Sequence, residues 1–272
     1  MRHQSHFNIY DFRQNTSLFR EHEETRLRIN IQSTNDMSLI FNTNNDDTPL
    51  TNLQELVLET FDESIIINFV ASEEDGLTSN QRRFLGKLKR VLRNNDDSNI
   101  PNNERYISDL ASFLCEQANL DEGLNLKMEP CLLRLAVGEE RFTANVDKVG
   151  QRGEQLIWLL QVDAHRNSTS YKHGDLQLAC AMIAAIELNY ILFDRIRPSK
   201  LVGMKFMAGT VYFYSMKATE GYINELLGGL PQHEQINIHR FPQHGFSLAD
   251  PTERKEILKC LSLLYREALS ID

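Results

Sequence analysis

At 272 residues and 41% hydrophobic, the chain can bury one large core or two ordinary ones. Its formal net charge of −9 excludes broad, sequence-indifferent coating of nucleic acid, which needs an excess of Lys and Arg against phosphates. Four widely spaced cysteines without a CxxC pair read as buried free thiols in a reducing, intracellular compartment (cytoplasm or nucleus).

No unbroken apolar run reaches membrane-spanning length, and MRHQSHFNIYDF has no signal-peptide core, so a membrane partner is not expected. Residues 1–25 read as a polar arm. Residues 26–95 read as a small α+β domain. Leu27, Ile29 and Ile31 alternate as a strand, and 38–42 suits a second. A helix follows a Thr51 cap, and 65–70 suits a third strand, an order compatible with a β-grasp-like fold.

The stretch 79–93 predicts a helix with Phe84, Leu85, Leu88, Val91 and Leu92 on one face. Arg82, Arg83, Lys87 and Arg90 make its other face basic. That face is either a solvated surface or a contact for nucleic acid or an acidic protein partner. The run NNDDSNIPNN marks a linker at 96–104, after which residues 105–272 form the second domain.

In that domain a helix is predicted over 106–120, then short strands over 124–128, 131–137 and 142–149. The apolar run Leu156–Val162 suits a strand buried on both faces. It ends in Asp163 and His165, which share a face by the strand's period of two. The helix 174–190 packs back over them. A hairpin turns at Ala208–Gly209, a helix ends at Gly228–Gly229, and Asp250–Pro251 opens the last helix. The whole is read as α/β (α+β), a mixed central sheet flanked by helices. His233, His239 and His244 lack a cysteine partner and read as loop and strand-edge residues rather than a zinc site. Walker A, GxGxxG, GxSxG and HExxH patterns are absent.

The order helix, three-stranded meander, helix, strand resembles the core of the PD-(D/E)XK nuclease superfamily. More narrowly, RFTANVDKVG, LIWLLQVDAHR, LQLACAMIAAIE, GTVYFYSM and GYINELLGGLP resemble the C-terminal domain of crinkler-type and related fungal proteins, over about residues 109–268. The resemblance implies a restriction-endonuclease-like core. It puts Asp147 at the family's first acid, Asp163-Ala164-His165 at its acid-X-Lys triplet, Gln177 at its helix glutamine and Glu116 at an early-helix acid. Histidine stands where the family has lysine.

The site so implied would hold Mg²⁺ or Mn²⁺ on Asp147, Asp163 and Glu116, hard oxygen donors for a hard cation. His165 would act as base or charge stabiliser, and Gln177 would orient the site. Two functions follow. One is a metal-dependent phosphodiesterase acting on nucleic acid. The other is a catalytically silent nuclease fold, a pseudoenzyme used for protein–protein interaction. Convergent carboxylates in an open groove favour the first, and an Asp163 buried against apolar side chains favours the second.

Overall fold

The computed structural model describes residues 12–42, 51–72, 75–96, 104–123, 126–163, 171–196 and 200–270. His165 and the polar loop around it, most of the expected linker, the loop at 43–50 and the first eleven residues lie outside them.

The elements run α1 (Glu21–Arg26), β1 (Ile29–Ser33), α2 (Glu63–Asn68), α3 (Ser79–Asp96), α4 (Glu104–Gln117), β2 (Glu122–Gly123), β3 (Leu126–Val137), β4 (Glu140–Arg152), β5 (Gln155–Asp163), α5 (Tyr171–Phe193), β6 (Leu201–Met207), β7 (Thr210–Lys217), α6 (Glu220–Gly228), β8 (Ile236–Ser247) and α7 (Pro251–Ser270). They build one mixed sheet in the order β1-β8-β7-β6-β5-β4-β3-β2, with helices on both faces. This is the expected α+β class. The predicted order helix, meander, helix, strand is present as α4, β3-β4-β5, α5 and β6. Strand β6 runs parallel to β5 after the α5 crossover.

Strand β5 explains its own sequence. Leu159 faces one core with α5 and α6, while Ile157, Trp158, Leu160 and Val162 face the other with α3, α4 and α7. Burial on both sides removes the usual polar alternation. Helix α5 is apolar for the same reason: β3, β4, β5, β6 and the turn at Thr16–Leu18 cover it. By length and hydropathy alone its Gly174–Phe193 portion would suit a membrane span, but two thirds of that window (67%) is buried inside the fold.

The expected separate β-grasp-like domain is not what forms. Strand β1 joins the common sheet beside β8, pairing Ile29 with Ile236 and Ile31 with Ile238. The predicted strand at 65–70 is helix α2, because Asp62 caps it by accepting the Ile65 N–H at 3.0 Å. The predicted strand at 38–42 is a 3₁₀ turn, Met37–Leu39, capped by Asp36. Ile40, Phe41, Leu53, Leu56, Ile66 and the apolar face of α3 pack into the same core as α7. Arg254 ties the segment before α2 to the start of α7. Fully buried, it donates to the carbonyls of Val57 (2.8 Å), Phe61 (2.6 Å) and Leu248 (2.7 Å).

The expected polar arm is also built in from Phe12 onward. Phe12 and Phe19 are buried against Phe142, each at 5.7 Å between ring centroids. Thr143 N–H donates to the Gln14 carbonyl at 3.0 Å, which holds this segment along β4.

Candidate active site

Two irregularities open the sheet at one place. Pairing of β3 with β4 slips so that Asp147 and Lys148 together face Pro130. Proline has no N–H to give the ladder, so a bulge forms there, and bulges re-aim side chains. Pairing of β4 with β5 ends at Lys148 and Leu160. Beyond it the Asp147 carboxylate takes the Val162 N–H at 2.7 Å, in place of a backbone partner.

The gap is an open cleft of about 330 Å³, lined by Ser17, Glu104, Asn145, Val146, Asp147, Gln161, Val162, Asp163, Gly174 and Gln177. Three of the predicted residues, Asp147, Asp163 and Gln177, therefore share one cleft. Asp147 and Asp163 are half-buried. Burial raises the Asp147 carboxyl above its ordinary pKa. The Val162 N–H opposes that shift, and the charge of nearby Asp163 adds to it. The two carboxylates thus sense each other across the cleft. Gln177 donates to the Asn145 carbonyl at 3.3 Å, which ties α5 to β4 at the rim.

Glu116 is not brought there. It lies exposed near the C-terminal end of α4, while Glu104 at the other end lines the cleft. Twelve residues of helix separate the two by roughly 18 Å. The basic face of α3 is largely consumed within the protein. Arg82 pairs with Asp75 at 3.0 Å, Lys87 with Asp109 at 2.5 Å, and Arg83 lies over the Phe113 ring at 5.2 Å. Arg90 is exposed. His233 and His244 are exposed, and His239 is half-buried on β8. Among the described residues no group of three or more His, Cys, Asp or Glu is placed to hold a metal ion.

The structure adds residues that the sequence reading passed over. Lys205 on β6 is fully buried and binds Asp175 Oδ1 at 3.2 Å. Asp175, in the first turns of α5, also takes Tyr214 OH at 2.8 Å and Arg240 Nη1 at 2.7 Å. Arg240 reaches on to Ser33 Oγ at 2.8 Å, so β1 supports the network from the sheet edge. The ammonium of Lys205 packs under Gly174. A Cβ built on that glycine would stand 2.4 Å from Nζ and 3.4 Å from Asp163 Oδ2. Lys205 Nζ and Asp163 Oδ2 are therefore within about 6 Å of each other across Gly174. A side chain at position 174 would force the Lys205 ammonium to move.

Gln161 is the other addition. It lies inside the apolar run, is 4% exposed, and lines the cleft two residues before Asp163. Its Oε1 is buried without a hydrogen-bond partner. An orphan acceptor of this kind costs about 1–3 kcal/mol. Lys205 is its neighbour in register on β6. A sequence signal existed: one amide within six large apolar residues. Nothing in the sequence said that the strands part beside it.

The side chains lining the cleft offer hard oxygens, from the carboxylates of Glu104, Asp147 and Asp163, the amides of Asn145, Gln161 and Gln177 and the Ser17 hydroxyl, which suit Mg²⁺ or Mn²⁺ rather than a soft metal. Comparison of the chain with protein-family models and with curated proteins gives no match.

Proposed function

We propose that the protein is a metal-dependent phosphodiesterase acting on nucleic acid, with a restriction-endonuclease-like core. The observation that carries this reading is the meeting of Asp147 and Asp163 in one open cleft. Asp163 is half-buried beside polar groups rather than sealed among apolar ones, as the competing non-catalytic reading would require.

Asp147 and Asp163 would hold one divalent cation. Mg²⁺ is commonly bound through one or two carboxylates together with substrate phosphate and water, so a third acidic ligand is not needed. When bound, such a cation supplies Lewis acidity toward a phosphate oxygen. The remaining chemistry falls to the chain. Gln177 fixes α5 against β4 at the cleft rim. Lys205, held by Asp175, brings an amine from β6 close to Asp163, although the motif position has histidine.

The second reading, a silent nuclease fold that docks a protein partner, loses support from the paired state of Arg82 and Lys87 on α3. Mn²⁺ calorimetry on the wild type and Asp163→Asn decides between them, followed by cleavage assays on single- and double-stranded DNA and on RNA. Micromolar to low-millimolar binding that the variant abolishes supports the enzyme. A wild type that binds no Mn²⁺ refutes it.

A further inference from the structure

Gln161 has no counterpart in the motif that led to the carboxylates, and its placement asks for an explanation. It is 4% exposed, and its Oε1 is buried without a hydrogen-bond partner. An amide in such a strand position could be a leucine at no loss to packing, and with a gain from removing the orphan acceptor. Yet the side chain lines the open cleft beside Asp147 and Asp163. Of the donors nearby, Lys205 gives an N–H to Asp175 and the Val162 N–H goes to Asp147, and neither bonds Gln161 Oε1. A donor that enters the cleft would fill that place.

Resting on the metal reading above, we propose that Gln161 accepts a hydrogen bond from the hydration shell of the divalent cation held by Asp147 and Asp163. Gln161 is a positioning residue in this scheme. It touches the shell and fixes the orientation of the bound ion, but it does not ligate the ion directly. The chemistry fits. Mg²⁺ gives up its water reluctantly and keeps several molecules, each a strong donor. An amide oxygen is an acceptor without the charge that a third carboxylate would add. Partners in this outer position are commonly worth 10- to 100-fold in metal affinity.

The test compares the wild type with Gln161→Leu, close in volume and without the amide. Mn²⁺ affinity is measured by calorimetry, hexaamminecobalt(III) affinity by NMR titration, and the unfolding midpoint by denaturant without metal. Hexaamminecobalt(III) presents only outer-shell N–H donors, so it reports the proposed contact separately from inner-shell ligation. The expected result is a 10- to 100-fold loss for both ions, together with a higher unfolding midpoint for the empty variant. Opposite signs for binding and stability are not produced by a general structural defect. If the wild type binds Mn²⁺ and Gln161→Leu binds both ions equally well, the proposal is overturned and the metal reading stands. A variant that is less stable than the wild type also overturns it, because the amide then has a partner inside the fold. A wild type that binds neither ion takes both readings down.

Discussion

Glu187 sits in the middle of α5 with 3% of its surface exposed, and its Oε2 accepts the Ala136 N–H of β3 at 2.9 Å. Burial pushes its carboxyl from the ordinary 4.5 up to about 7, and the Ala136 N–H and the more distant Arg141 only partly offset this. The folded state therefore holds a proton that the unfolded chain releases near pH 4.5. Stability from this group is complete below about pH 4.5, falls as pH rises toward 7, and stays at its lower value above that. At about 1.4 kcal/mol per pH unit the fall amounts to about 3 kcal/mol. Glu187→Gln keeps an acceptor for Ala136 and removes the titration. The variant should be about 2–3 kcal/mol more stable than the wild type at pH 8, worth roughly 5–10 °C in Tm for a domain of this size. The advantage should shrink toward zero as pH approaches 4.5. Urea unfolding of both proteins between pH 4.5 and 8.5 reads the difference directly. A variant advantage that does not change with pH, or a variant less stable at pH 8, would refute the reasoning.

Gly150→Ala should destabilise by about 3 kcal/mol in urea unfolding, because its Cβ would stand 1.9 Å from the buried Trp158 ring. Lys205→Met leaves Asp175 with one cation fewer in a dry site and should cost about 3–5 kcal/mol. Combined with Asp175→Asn, that loss should be clearly less than additive in the same assay. Arg254→Met removes donors from several buried carbonyls and should cost about 3 kcal/mol or more. Amide exchange in residues 57–61 should speed up in that variant before exchange in β5 does.

Much of the central fold was legible because its elements obey simple periods. The run at 156–162, the hairpin at Ala208–Gly209 and the Asp250 cap of α7 each carry a local signal that tertiary packing reinforces. The N-terminal third was misread for a physical reason. Ile65, Ile66 and Ile67 favour a strand by β-branching, but the Asp62 cap and burial of Ile66 against the α7 core make them a helix. Of the site, Asp163 could be named from its place at the end of β5, and Asp147, in the middle of β4, only through the resemblance. Lys205 could not, because the network around Asp175 draws on α5, β6, β7 and β8 and no spacing in the chain links them. Glu116 failed for the opposite reason: α4 offers an acid near each end, and sequence alone does not say which end meets the sheet.

The pairing of β1 with β8 has a consequence for how the chain is made. Ile29 finds Ile236 only after some two hundred further residues have emerged. At a synthesis rate of roughly 5–20 residues per second, that is a delay of about 10–40 s. Throughout it, Ile29 and Ile31 have no strand to dock on. The strand that completes this edge of the sheet thus leaves the ribosome ahead of the other described strands and is among the last to be placed. Arg240, whose guanidinium joins Ser33 of β1 to Asp175 behind the cleft, arrives with the same late strand. The support behind Asp163 is completed only when the sheet closes, so a nascent chain cannot present a finished site.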